Sequence, residues 1–170
     1  MKVYKFRKYE EVFPLLYNNE KKRIGKIISK STLIEHIGST AVSGLPGKGI
    51  IDIMISCPKK EMTKVKNKLL KKRYTAGTSS DEDRIFLKRE AKIGGKVRRF
   101  HIHITPKGHR LWIGAVSFKN YLIKNPKIAK QYAILKKKAI NQCKQDGEHY
   151  RKLKEKFINY YTRKAKKEIN

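Results

Sequence analysis

The sequence predicts an α+β fold: a small mixed or antiparallel sheet with flanking helices, followed by a helical C-terminal part. Three observations carry this. Strand-like runs fall before Pro106, and only helical periodicities follow it. Residues 50–57 are apolar almost throughout, which suits a strand buried on both faces. Hydrophobic residues make up 39% of the 170, enough for one core, so wholesale disorder is excluded.

The elements follow in order. Residues 10–30 read as a helix, because Phe13, Leu16, Tyr17, Ile24, Ile27 and Ile28 recur at helical spacing. Residues 33–37 read as a short strand that runs into the turn Gly38-Ser39-Thr40. Residues 43–49 hold three Gly and one Pro, so they form a loop. After the strand at 50–57, residues 59–73 look helical and strongly basic. Residues 84–89 and 97–105 are two strands, joined by a hairpin at Gly94-Gly95. Residues 117–124 suggest a short helix stopped before Pro126. Residues 126–144 form a long helix with Ile128, Tyr132, Leu135 and Ala139 on one face. The pair Asp146-Gly147 ends it. Residues 148–168 form another, with Tyr150, Leu153, Phe157, Tyr161 and Ala165 on its apolar face. The chain therefore reads as a single domain, with an α+β core over 1–116 and C-terminal helices over 117–170.

Composition bounds the function. Lys and Arg total 43 against 14 Asp and Glu, a formal net charge of +29. Of these cations 33 are Lys and 10 are Arg, spread over the whole chain. That spread reads as a solvated basic surface, and any nucleic-acid binding is expected to be mostly electrostatic. A field of this sign also attracts small anionic molecules. No apolar run approaches the roughly 20 residues of a membrane span, and the N-terminus lacks an apolar signal core. No membrane partner is expected. Cys57 and Cys143 lie far apart with no CxxC, which fits a reduced, cytoplasmic protein.

Three segments carry candidate chemistry. The first runs from Glu35-His36-Ile37-Gly38-Ser39-Thr40 through Lys48 to Ile51-Asp52-Ile53-Met54. A strand delivers the chain into a Gly-Ser-Thr turn, whose hydroxyls suit either a helix cap or a phosphate seat. Lys48 adds charge, or is one more surface lysine. The spacing of a P-loop is absent, which excludes that NTPase class. Asp52 stands inside an apolar strand. A carboxylate there is costly unless it meets a cation or a donor, so it is the leading site candidate. The second segment is His101-Ile102-His103. In a strand the two imidazoles share a face, where they suit a metal, a phosphate or proton transfer. A metal needs a third ligand, with Asp52 or His36 to supply it. His109 follows Gly108 in a basic loop and reads as surface. The third set is Tyr121, with Tyr132 and Lys136 on one helix face, either as packing or as the wall of a pocket over the sheet.

Together these segments resemble the GrpB family. The matching pieces are Tyr9 to Phe13, Glu35 to Val42, Gly44-Leu45, Lys48, Ile50 to Ile53 and His101 to His103, then Phe118 to Leu122, Tyr132 to Lys136, Tyr150 to Lys154 and Phe157-Ile158. The likeness covers nearly the whole chain in order. It implies a nucleotidyltransferase-like fold, and a family that also occurs fused to dephospho-coenzyme A kinase. The superfamily pattern is a Gly-Ser turn, two carboxylates at alternate positions of the next strand, and a third on a later strand. These hold Mg²⁺ for phosphoryl transfer. Here Gly38-Ser39 matches the turn and Asp52 the first carboxylate. Met54 stands at the second, and His101 or His103 at the third. The resemblance thus implies a divergent protein that acts on or binds a nucleotide or phosphorylated small molecule. His36, Gly38, Ser39, Thr40, Lys48, Tyr121, Tyr132 and Lys136 would hold the ligand, with Asp52, His101 and His103 at the chemistry. Mg²⁺, Mn²⁺ or Zn²⁺ is the candidate cofactor, on Asp52 and His103. Two alternatives stand beside it: a non-catalytic module for a nucleotide or coenzyme A-like ligand, and a basic RNA-binding protein.

Overall fold

The structure, a computed structural model, describes residues 5–28, 32–78, 82–144 and 146–168. Helix α1 (Phe13–Gly25) leads to strand β1 (Leu33–Ile37) and a single 3-10 turn at Ser39–Ala41. Strand β2 (Ile50–Cys57) is followed by α2 (Met62–Leu70) and a two-residue strand, β3 (Thr75–Ala76). A hairpin of β4 (Ile85–Ile93) and β5 (Lys96–Pro106) comes next. Three helices complete the chain: α3 (Arg110–Lys124), α4 (Pro126–Gln142) and α5 (Gly147–Lys167).

The strands form one mixed sheet in the order β1-β2-β5-β4-β3. Among the described residues the β2–β5 ladder alone is parallel; the other pairs are antiparallel. The hairpin turns at Gly94 and Gly95, both at positive φ (56° and 73°), as a two-residue primed turn requires. One face of the sheet is the main core. Ile51, Ile53 and Ile55 of β2 and Phe100, Ile102 and Ile104 of β5 pack there with Phe13, Leu16 and Ile24 of α1 and Val65 and Leu69 of α2. The alternation of a strand then turns Asp52, Met54, His101 and His103 to the opposite face. Two smaller clusters form among the C-terminal helices. One centres on Val42, Leu45, Leu122 and Tyr132, the other on Ala139, Ile140, Cys143 and Tyr150. The continuous apolar run of β2 is explained by this: all of its residues but Asp52 are buried.

Several boundaries differ from the expectation. Helix α1 is shorter, opening with Pro14 in its first turn and closing at Gly25; the expected tail at 29–30 lies outside the described residues. The basic helix is a 3-10 turn at Lys59–Glu61 and then α2, and Arg73 at φ 69° stands beyond its end. The short edge strand β3 was unforeseen, two residues being too few for a periodic signal. Helix α3 starts at Arg110, not near 117. His109 caps it, its Nδ1 accepting from the Leu111 amide at 3.3 Å. His109 is therefore not a free surface side chain; it is partly buried, with Nε2 3.4 Å from Asp83. A histidine cap and the internal Gly114 both weaken the sequence signal for that first turn.

Candidate functional site

The site begins at the backbone of Gly38. Its φ of 74° and ψ of −169° are open to glycine and strained for other residues. A Cβ there would lie 2.5 Å from Asp52 Oδ2. The turn therefore lies directly against the carboxylate. Gly47 makes a second close approach, since a Cβ there would overlap Ser39 Oγ. The 43–49 loop is thus folded back over the turn.

Thr40 and His36 hold this turn from behind. The Thr40 hydroxyl donates to the Ile50 carbonyl at 3.0 Å, which spends its only proton. His36 Nε2 lies 3.0 Å from the same oxygen, so Nε2 is the protonated nitrogen and donates. Burial pushes His36 down to about 4, leaving the ring neutral and stacked 4.5 Å from Tyr17. Both side chains are buried, at 8% and 1% exposure, and bonded to each other. Their place is behind the turn. Nor does Thr40 cap a helix, because only one 3-10 turn follows and no side chain caps it.

Across the parallel ladder Asp52 faces His101, and Met54 faces His103. Asp52 Oδ1 lies 3.3 Å from His101 Nδ1 and 3.9 Å from His103 Nε2. The carboxylate remains 26% exposed, open to a ligand. Burial pushes its pKa up, but hydrogen bonds and charge from the two histidines outweigh this and hold it below the usual carboxylate range. Phe86 of β4 fixes the imidazoles, with His103 stacked on it and His101 edge-on, both at 5.0 Å. His103 Nδ1 is buried and makes no hydrogen bond.

Facing Asp52 is a cavity of about 210 Å³, lined by Gly38, Ser39, Lys48, Tyr132, Lys136 and further residues of α5. Lys136 is 3% exposed and donates to the Pro46 carbonyl. Its Nζ lies 4.9 Å from the Tyr132 ring centre. Burial and the charge of Lys154 push Lys136 down to about 7. Lys48 and Lys154 stand 4.8 and 3.9 Å from the Tyr150 ring centre. Burial lowers both, Lys154 to about 8 with help from Lys48. Arg151 completes the lining. Tyr150, Arg151 and Lys154 were not among the expected site residues. A signal existed: Tyr150 and Lys154 repeat the i,i+4 spacing of Tyr132 and Lys136. Tyr121 lies elsewhere, buried with its ring 5.6 Å from Tyr161.

The donor set bears on the metal. At the sheet face stand one carboxylate, two imidazoles and the thioether of Met54. Among the described residues, no group of three or more His, Cys, Asp or Glu side chains is placed to hold a metal ion. A two-Mg²⁺ arrangement needs oxygen ligands at both strand positions, and Met54 offers none. These residues do not fit it.

The family model described as GrpB protein matches residues 4–164. The chain belongs to the GrpB family. The GrpB crystal structure from Enterococcus faecalis superposes with a TM-score of 0.79 at 26% identity, over 97% of this chain and 99% of that one. The UPF0157 protein YqkA of Bacillus subtilis is 29% identical over 160 residues, 94% of this chain but 46% of YqkA. This GrpB-family chain thus spans about half the length of that relative. A cytoplasmic RNA terminal U-transferase is also similar, with a TM-score of 0.46 and 14% identity, over 77% of this chain and 43% of that one. Among the described residues, no helix is long and apolar enough to cross a membrane.

Proposed function

We propose that the cleft over the sheet binds a nucleotide or another phosphorylated small molecule, with its phosphate among Lys48, Lys136, Arg151 and Lys154. One observation carries this reading: four cationic side chains converge on a single small cavity floored by Gly38, Ser39 and Asp52. Grouping and drying cations costs free energy, seen in the depressed Lys136 and Lys154. A bound phosphate offsets that cost, and Ser39 adds a hydroxyl donor. Asp52 repels the same phosphate, so it sits beside the anion only with a positive charge between them. The lysines on the same lining supply it. In this arrangement Asp52, His101 and His103 are the groups that would take the proton from a hydroxyl attacking the phosphorus and return one to the leaving oxygen as its P–O bond breaks.

A specific observation favours the second reading, a module that binds without turnover. Met54, 4% exposed, occupies the position where phosphoryl-transfer chemistry of the resembled kind uses a carboxylate. One experiment separates the two. Thermal shift at fixed salt is run with nucleotides, coenzyme A precursors and phosphate esters, each with and without Mg²⁺, Mn²⁺ or Zn²⁺. Wild type, Asp52→Ala and Lys136→Met are compared. A ligand at about 100 times its Kd stabilises by about 2.7 kcal/mol, or roughly 5–10 °C for a chain of this size. The expected result is a shift from at least one phosphate compound that Lys136→Met loses. A shift that also needs Mn²⁺ or Zn²⁺ and disappears in Asp52→Ala supports a single ion on Asp52 and His103. A metal-independent shift kept by Asp52→Ala supports the binding module. Absence of any shift overturns the reading.

A further inference from the structure

The lysine cavity does not end at the Gly38–Ser39 turn. On the other side of that turn lies a larger cavity of about 670 Å³. The two share Gly38, Ser39 and Tyr132 in their linings. Their chemistry differs. Ile37 and Met54 of the sheet, Phe118 and Leu122 of α3 and Ile158 of α5 all line the larger one. Ile37, Met54 and Leu122 are each at least nine-tenths buried. Four cations also line it: Lys119 is already paired with Glu35 at 2.5 Å, Arg110 is exposed, and Arg84 and Lys166 stand partly buried, with Glu155 among them. The volume lies within the roughly 300–1,000 Å³ of sites that bury organic ligands. Diphosphate alone does not use such a space.

We propose that the ligand is an organic phosphate whose other half is a bulky group with a large apolar surface. That half occupies the Met54 cavity, and the phosphate crosses the Gly38–Ser39 turn into the lysine cavity. Met54 acquires a role in this arrangement. Where the resembled enzymes place a charged oxygen ligand, this chain places part of an apolar wall. A carboxylate at that position would desolvate against the organic group at a cost. The inference rests on the phosphate reading above and adds the class of compound attached to the phosphate. Two sources share this chemistry, a ring such as a nucleoside and an alkyl or prenyl chain.

Gly114 supplies the test. It lines the large cavity and is absent from the lining of the small one. A Cβ there meets only Thr162 Cγ2, at 3.5 Å, an ordinary contact, so a side chain can be added at this position without a clash at its Cβ. Replacing a helical glycine also favours the helix. Isothermal titration is run on the full chain with pyrophosphate, ADP and geranyl diphosphate, which carry the same diphosphate. At least one organic diphosphate is expected to bind about tenfold or more tightly than pyrophosphate. Gly114→Leu removes that advantage and leaves pyrophosphate within about twofold of wild type. Ala115→Leu, on the same lining, is a second cavity-filling variant if the first fails to fold. An advantage for ADP alone assigns a ring, and one for geranyl diphosphate alone assigns a chain. Equal affinity for all three compounds overturns the inference and leaves the phosphate site standing. An advantage that survives both fillings overturns it as well. Failure of pyrophosphate and both organic compounds to bind overturns the phosphate reading, and this inference with it.

Discussion

Lys136 is an ammonium group with almost no water around it: 3% exposed, held by one carbonyl, and pushed by burial and by Lys154 down to about 7. An unfolded lysine titrates near its ordinary value of about 10.4. Between about pH 7 and that value, the unfolded chain binds a proton that the folded chain does not. Stability therefore rises with pH across this window. The thermal midpoint is expected to climb from pH 7 to pH 10, with a smaller climb in Lys136→Met. That variant is also expected to be more stable than wild type at pH 7. A climb of equal size in both proteins would show that Lys136 is not the titrating group. Under the phosphate reading, ligand binding near pH 8 draws a proton onto this lysine, because an adjacent anion favours its charged form.

At the scale of elements, one buried network fixes α1 to the sheet. Glu20 of α1 is 4% exposed, accepts from Tyr74 Oη at 2.6 Å and pairs with Arg89 of β4 at 2.8 Å. It joins a helix, the segment after α2 and a sheet strand through one carboxylate. Removing one partner of such a pair leaves the other charge buried. Glu20→Ala is expected to cost about 3–5 kcal/mol in chemical denaturation, and Arg89→Met a comparable amount. A loss below about 1 kcal/mol would class it with exposed ion pairs. Glu20 sat in the sequence as one more polar residue of an amphipathic helix. Nothing local marked it, since both partners are distant along the chain. The apolar elements were legible: β1, β2, β5 and α4 lie close to where periodicity and apolar runs put them. The start of α3 was not, because a histidine supplies its cap.

For the whole molecule, the charge of +29 acts as a field rather than a motif. Self-repulsion of this size opposes the compact state. Raising ionic strength from about 0.01 M to about 0.15 M shortens the screening length from about 30 Å to about 8 Å. The thermal midpoint is expected to rise over that range in a monovalent salt. A midpoint that stays flat or falls would show that local ion pairs, such as Glu10 with Lys96 and Arg98, already offset the repulsion.

The sequence by itself determined the α+β class, the two-face burial of β2, and a Gly-Ser turn ahead of Asp52. It also put His101 and His103 on one strand face. These are short-range properties, set by residue type and by a period of two or 3.6. It could not decide which lysines among 33 become special, nor that Thr40 and His36 are occupied by each other. Only the tertiary structure brought Lys48, Lys136, Arg151 and Lys154 to one cavity, from a loop and two helices separated by about a hundred positions. Only it set Met54 beside Phe118 and Leu122 around a second cavity. The reason is physical: burial and mutual approach, which shift a lysine or orient a carboxylate, belong to contacts between elements, and no single segment encodes them.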